Sequence, residues 1–424
     1  MPSVESNRYV YRCFSCGKEY PPALFEAEYR YLCPACGKAT DKQPLNGVMQ
    51  VIYDYDRLRK KLSREKFLQL PAGRPWLYPE LWPVSDMTKL LPDDQLELLA
   101  LPENLLLKII VQDIMVLILD DTRNPTCSFK DRASILVALK AMEMGIRELS
   151  AASTGNAGSS LAGICARLGL KGHVWVPERI PEQKKLQILG YGAELHLVKG
   201  SYDTAFDLNR RIAVQQNWYD RNTAYNPLTI EGKKSAAFDI FIATGGAIPD
   251  YLFIPVGDGV ILGGLFKGFT ELFELGWIEI IPKLIGVQAE GSDALVRYLG
   301  TGKFEYREAS TAADSICAGA PRNLYLAAEA IRFSKGDAIA ITDSDISDAQ
   351  KELAKSYGFL IEPSAAVTWA AYKNMDQDGK IEPGQRCLLM FTGSGMKDMA
   401  SLQRWCPEVE ARPVEDWMEM YTTR

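Results

Sequence analysis

From Glu148 onward the chain alternates between short apolar runs and longer stretches whose apolar residues recur every three or four positions. "ELSAAS" (148–153) reads as a strand ending in small residues, and "GNAGSSLAGICARLG" as a helix stopped at Gly169. "HVWVP" (173–177) is a second strand, and "PEQKKLQILG" a helix with Pro181 in its first turn and Gly190 at its end. "AELHLV" and "SYDTAFDLNRRIAVQQ" repeat the pair, with Ser201 or Asp203 as the helix cap. A second series starts at Tyr251: the strand "YLFIPV", the tight loop "GDG", the helix "VILGGLFKGFTELFELG", and the buried strands "KLIGVQAE" and "RCLLMFTGSG". Strands alternating with helices predict an α/β fold of two parallel-sheet units, with ligand loops at the C-terminal ends of the strands.

Upstream the pattern is less regular. Residues 46–122 form a Pro-rich connector followed by Leu-rich sequence, and no glycine occurs between Gly73 and Gly145. "NLLLKIIVQDIMVLIL" is the most apolar stretch, but Lys108, Gln112 and Asp113 interrupt it. It is also shorter than the ~20 residues of a membrane span, so it reads as core, and no membrane partner is expected.

Composition narrows the function classes. The 424 residues carry a net charge of -6, and the 48 basic residues are spread along the chain, which argues against nucleic acid as a partner. "MPSVESNRYVYRC" lacks the apolar core of a signal peptide, so a cytoplasmic address is expected. Nine cysteines, an odd number, fit a reduced compartment better than a disulfide framework. Four of them, Cys13, Cys16, Cys33 and Cys36, form two CxxC pairs, each followed by a glycine that lets amides turn toward the sulfurs. This is the spacing of a four-cysteine zinc ribbon. A closed tetrathiolate has no open position, so the Zn2+ is expected to be structural.

Four loops carry candidate chemistry. In "NPTCSFKDRAS" (124–134), Ser128 can cap a helix, with Asp131 as its capping-box partner. Lys130 then falls in the first turn, where the helix dipole disfavours an ammonium and favours an amine able to form a Schiff base. Cys127 is a second possible nucleophile, but no histidine lies near it in sequence. "SAASTGNAGSS" puts Ser153, Thr154, Gly155 and Asn156 at a strand-to-helix turn whose amides can hold a carboxylate. "PVGDGVILGG" offers the amides of Gly257 and Gly259 to a phosphate, although it is neither GxGxxG nor a nucleotide P-loop. "LLMFTGSGMKD" ends a strand at Thr392, whose hydroxyl can hydrogen-bond a ring nitrogen without protonating it. Alone, each fits an ordinary glycine turn or a solvated lysine. Together they describe a pyridoxal phosphate site.

With these loops in place, the sequence resembles the fold-type-II pyridoxal phosphate enzymes (tryptophan synthase β-like), threonine synthases most of all. The family motif NPTGSFKDRG is matched except at Cys127 and Ala133, and "STGN", "EGKK", "TGSGMKD" and the ribbon are similar too. The resemblance implies that Lys130 holds the cofactor and moves protons at the substrate Cα, and that Phe129 supports the ring. It implies that Asn156 bonds the cofactor's 3'-oxygen, and that Ser153, Thr154 and Gly155 grip the substrate carboxylate. Gly257, Asp258, Gly259, Val260 and Ile261 would bind the cofactor phosphate, and Thr392 would face the pyridine nitrogen. The implied reaction eliminates phosphate from O-phospho-L-homoserine and hydrates the product to L-threonine. A homodimer is expected from the family alone.

The sequence departs from the family where the substrate phosphate would be held. A family segment resembling NSxNPxRxEGQK reads here "TAYNPLTIEGKK", with Thr223 and Ala224 for Asn-Ser and Thr229 for the arginine. Losing a bidentate guanidinium is a large change. Arg221, Lys233, Lys234 and Arg322 are the candidates to replace it. Another β- or γ-eliminating or replacing enzyme (a dehydratase, ammonia-lyase or synthase) therefore stays open, as does a non-catalytic binding protein, which the intact lysine motif disfavours. Glu362, in "IEPSAA", is given a minor role at the cofactor. Asp314, Ser315 and Arg322 either line the cleft or stabilise a loop. Cys165, Cys317, Cys387 and Cys406 read as core or near-core thiols. His173 and His196, the only histidines, sit on separate strands away from these loops, and no His-based triad or metal site is expected. The expected organisation is a ribbon (1–45), a large α/β domain (46–135 and 245–424) and a small one (136–244), with the cofactor between the last two.

Overall fold

In a computed structural model of the protein, which describes residues 8–27, 30–111, 114–153, 155–178, 180, 182–200 and 202–422, the apolar runs become strands of three sheets. Thr154, Pro181, Ser201, Gln112 and Asp113 lie outside the described residues, as does the side chain of Asp203. The first sheet is small and antiparallel, with β1 (Tyr9–Cys13) between β2 (Glu19–Tyr20) and β3 (Met49–Tyr53).

The second sheet has six strands in the order β12-β11-β10-β13-β5-β4. Its members are β4 (Leu106–Val111), β5 (Ile114–Asp120), β10 (Tyr251–Pro255), β11 (Lys283–Ala289), β12 (Asp337–Ile341) and β13 (Cys387–Phe391). All neighbours are parallel except β4 and β5. The central β10 and β13 are buried along their whole length, as expected of parallel strands covered on both faces. The apolar stretch read as core is thus split into a hairpin. β5 enters the core, whereas β4 is the edge strand and leaves Ile110 62% exposed.

The third sheet has four parallel strands in the order β8-β7-β6-β9: β6 (Glu148–Ala152), β7 (Lys171–Pro177), β8 (Glu194–Val198) and β9 (Tyr219–Asp220). The mixed α/β architecture with parallel sheets is the one the alternation predicts. Among the described residues, no helix is long and apolar enough to cross a membrane.

Two buried helices pack against each other. The lysine helix, Asp131–Glu143, is buried from Asp131 through Ala141, which explains why its apolar residues are not confined to one stripe. The helix Leu228–Ala243 packs on it and buries every residue from Leu228 to Phe241. Charged residues in these helices are therefore partnered: Arg132 bonds Asp121 at 2.9 Å and Asp239 at 2.5 Å.

Candidate functional site

The C-terminal ends of β5, β6, β10 and β13 open into one cleft of about 360 Å³. Lys130, Ser153, Gly155, Asn156, Gly257, Asp258, Gly259, Val260, Ile261 and Thr392 line it, together with Asp314, Ser315 and Arg322. Loops distant in sequence converge here because parallel strands all present their C-terminal ends on one side.

The lysine loop differs locally from its expected form. The helix starts at Asp131, with Lys130 in the capping position and no side-chain cap. The Ser128 hydroxyl makes no hydrogen bond among the described residues, and Asp131 instead accepts from the Thr126 amide at 2.7 Å and the Thr126 hydroxyl at 2.5 Å. A serine–aspartate capping box is thereby replaced by a carboxylate that ties the loop to the helix. Cys127 takes a left-handed φ of 61°. The loop is pinned to the end of β13 by the Phe129 amide donating to the Thr392 carbonyl at 2.9 Å and the Ser394 amide donating to the Cys127 carbonyl at 3.1 Å. Burial pushes Lys130 down to about 8, and Arg221 pushes the same way, while Glu362 and Asp258 oppose.

Opposite the lysine, Asn156 begins the helix Asn156–Arg167. Its amide nitrogen donates to Glu362 Oε2 at 2.7 Å, and that oxygen also accepts from Ser364 Oγ at 3.2 Å and Ser315 Oγ at 3.3 Å. Glu362, a minor candidate in the sequence, is thus buried against Asn156. Gly393 makes this possible, since a Cβ there would meet Glu362 Oε2 at 2.3 Å. Asn156 Oδ1 and Glu362 Oε1 are buried without hydrogen-bond partners among the described residues. Unpaired buried acceptors beside a depressed lysine leave polar demand for a ligand to meet.

The anion cup lies at the end of β10. Gly259 caps the helix Val260–Glu274 with φ 81°, and a Cβ there would meet the Ala327 side chain at 2.9 Å and the Asn323 carbonyl at 3.1 Å. No side chain caps this helix, so its first amides are open to the cleft. A pyridoxal phosphate fits these groups: one cleft offers a lysine amine, uncapped amides for a phosphate and the Thr392 hydroxyl for a ring nitrogen.

Phe129 does not line the cleft. Its ring is fully buried, and the Arg132 guanidinium lies over it at 5.4 Å. The candidates for the missing arginine separate clearly. Lys234 is locked in a buried ion cluster, 2.6 Å from Glu231 and 3.0 Å from Glu271. Arg221 donates to Thr223 Oγ1 at 2.7 Å and Ser134 Oγ at 3.1 Å. Arg322 lines the cleft and donates to the Gln43 carbonyl at 3.2 Å. Lys233 also lines the cleft, is fully buried, and donates only to the Thr229 carbonyl at 3.3 Å among the described residues. A Cβ on Gly264 would meet Lys233 and one on Gly268 would meet Ala237, so the helices Leu228–Ala243 and Val260–Glu274 run parallel. Lys233 reaches back one turn, which brings its amine toward the open start of the second helix. Burial, then Arg221 and Lys130, hold Lys233 well below the usual lysine range.

At the ribbon, the four sulfurs lie within 4.8 Å of one another, with Cys13–Cys36 at 3.4 Å and Cys16–Cys33 at 3.7 Å. Tetrahedral Zn–S bonds of about 2.3 Å place sulfurs ~3.8 Å apart, so the cluster fits zinc closely. The amides of Cys16 and Ala35 point at sulfurs from 3.4 Å, as thiolate sites require.

Comparison with known proteins agrees with this chemistry. Residues 103–393 match the family described as pyridoxal-phosphate dependent enzyme. A threonine synthase of Methanocaldococcus jannaschii is 35% identical over 91% of this chain and 92% of its own length. One of Methanosarcina acetivorans is 32% identical over 94% and 95%. Among solved structures, an L-serine ammonia-lyase from Rhizomucor miehei superposes with TM-score 0.59 at 19% identity, covering 71% of this chain and 96% of that one. A serine racemase from Dictyostelium discoideum superposes with TM-score 0.57 at 22% identity, covering 66% and 87%. These two likenesses speak for the fold.

Proposed function

Because the chain belongs to the threonine synthase family of pyridoxal-phosphate dependent enzymes, and is a lyase that uses that cofactor, we propose that it converts O-phospho-L-homoserine and water to L-threonine and phosphate. The observation that carries this reading is the convergence of Lys130, Ser153, Gly155, Asn156, residues 257–261 and Thr392 on one cleft.

When bound, pyridoxal phosphate supplies the electron-accepting ring that lets a proton leave an amino acid's Cα. The chain's residues do the rest. Lys130 holds the cofactor, and its amine, lowered to about 8, carries protons to and from Cα. The amides of 153–155 orient the substrate carboxylate at the start of the helix Asn156–Arg167. Asn156 bonds the cofactor's 3'-oxygen, and Glu362 and the two serines behind it hold the amide in place. Gly257, Asp258, Gly259, Val260 and Ile261 cradle the cofactor phosphate, while Thr392 meets the ring nitrogen without full proton transfer. Phe129 supports the site through its backbone N–H, which donates a hydrogen bond to the Thr392 carbonyl. Lys233 replaces the arginine missing at Thr229 and holds the phosphate as it leaves Cγ; Cγ then takes up a proton, and water adds its oxygen to Cβ. Closure of the small domain (136–244) on the large one would exclude bulk water, and the zinc ribbon stays structural.

A second reading, an eliminating or replacing lyase on an unphosphorylated hydroxyamino acid, is favoured by Thr223, Ala224 and Thr229 alone. Phosphate release from O-phosphohomoserine, measured beside ketoacid formation from threonine and serine, decides between them. Ketoacid formation without phosphate release would favour the second.

A further inference from the structure

Strand pairing brings the two histidines together. In the register of β7 and β8, His173 lies opposite Glu194 and Trp175 opposite His196, so all four share one face of the small sheet. His173 Nδ1 is 3.2 Å from Glu194 Oε2 and 3.4 Å from His196 Nε2, and His196 Nε2 is 3.9 Å from the same carboxylate oxygen. None of these residues lines the cleft.

These separations describe a coordination triangle. Its equidistant point, found from the product of the sides over four times the area, lies about 2.0–2.1 Å from each atom, the bond length of Zn2+ to histidine or carboxylate. An ion there is within bonding distance of all three atoms as they stand. His173 Nε2 is 2.8 Å from Glu148 Oε2. In the tautomer that donates Nε2–H to this carboxylate, Nδ1 turns a lone pair toward Glu194 and His196. When His196 carries its proton on Nδ1, its Nε2 supplies a third lone pair, and one cation can be shared by all three atoms. Stacking fixes the rings, with Trp218 on His173 at 3.6 Å and Trp175 on His196 at 4.1 Å. Lys171 takes the other oxygen of Glu194 at 2.8 Å and leaves Oε2 to the triangle. His173 is 1% exposed, while His196 and Glu194 reach the surface, so the fourth position opens to water.

We propose that His173, His196 and Glu194 bind a borderline divalent ion of the Zn2+, Co2+ or Ni2+ class, with Glu148 orienting His173. Two imidazoles and one carboxylate select these ions over Mg2+ and Ca2+, which take oxygen ligands. Because β8 is the edge of its sheet, the ion clasps that edge to β7. The rival occupant is a proton on His196 Nε2, donated to His173 Nδ1.

The test uses the full chain loaded with pyridoxal phosphate, equilibrated with Zn2+ and freed of loose metal by gel filtration. Metal content is compared with that of His196→Ala and Glu194→Gln, both partly exposed positions that leave the buried His173 intact. The wild type should hold one equivalent more than either variant, whatever the ribbon holds. Co2+ should raise its melting temperature where Mg2+ does not, and His196→Ala should lose that rise. Equal metal content in all three proteins overturns the proposal and leaves the proton as the occupant. So does a melting shift that His196→Ala retains.

Discussion

Lys233 and Lys234 are adjacent on one helix and equally buried, yet their surroundings are opposite. Lys234 sits between Glu231 and Glu271, stacks over Tyr53 at 4.4 Å, and shares the carboxylates with Lys267. Lys233 has no ion-pair partner among the described residues and turns toward the cleft, whose lining also holds Lys130 and Asp258. A helix turns about 100° per residue, enough to send neighbours to different regions. The paired region is finished without a ligand. The cleft end is not, because burial without a counter-ion disfavours the charged form of Lys233 until an anion arrives. The two regions should therefore respond to mutation in different currencies, one in stability and the other in binding and rate.

The largest effect belongs to Lys130. Lys130→Ala should lower turnover by at least ~10²–10⁴-fold and abolish the visible absorbance of the cofactor-loaded protein, with no loss of melting temperature. A variant that kept its colour would place the cofactor on another amine, Lys233 being the nearest rival in the cleft. Next comes Lys234→Met. Removing one member of a buried ion cluster leaves a carboxylate unpaired and should destabilise by about 3–5 kcal/mol, read by chemical denaturation. An unchanged midpoint would mean that Lys267 alone satisfies both glutamates.

Lys233→Met sharpens the contrast. Stability should hold or rise, while KM for a phosphorylated substrate should increase about 10–100-fold, the worth of a hydrogen bond to a charged group. Affinity for pyridoxal phosphate, titrated separately, should change little. A weakened cofactor with an unchanged KM would assign Lys233 to the cofactor's phosphate instead. Lys130 also leaves a signature in pH. Its folded value of about 8 lies below the ordinary lysine value of about 10.4, so between them the unfolded chain binds more protons. The cofactor-free protein should gain stability as pH rises through that window, and Lys130→Met should flatten the slope.

Much of this was legible in the sequence. The alternation of strands and helices, the lysine loop, the glycine turns and the paired cysteines are all local patterns. What was not legible depends on pairing across the chain. Nothing near Glu362 shows that its carboxylate will meet Asn156. No spacing rule links His173 to His196, which meet only because β7 and β8 align in one register. Lys233 and Lys234 look alike in "EGKK" until neighbouring helices supply carboxylates to one and a cleft to the other. Lys397, in "TGSGMKD", proves to be a tie: its amine reaches the Thr126 carbonyl, Ser159 and Gln187, binding the lysine loop to two helices of the small unit.

The smallest effect is the most local. Cys127 occupies a left-handed conformation at φ 61°, where the family motif has glycine. A Cβ in that region is disfavoured by roughly 1–2 kcal/mol, whereas glycine adopts it freely but brings more freedom to the unfolded chain. Cys127→Gly should thus change stability by less than about 1 kcal/mol, with relief of strain set against lost unfolded-state restraint. The hydrogen bonds that fix the loop, from the Cys127 amide to the Asn124 carbonyl at 2.7 Å and from the Ser394 amide to the Cys127 carbonyl, involve only backbone and survive the change. Cofactor absorbance should be unaltered for the same reason. If the side chain only fills space, phosphate release should also be unaffected. A shift in preference between phosphorylated and unphosphorylated substrates would instead give this thiol, together with Lys233, a part in what the cleft accepts.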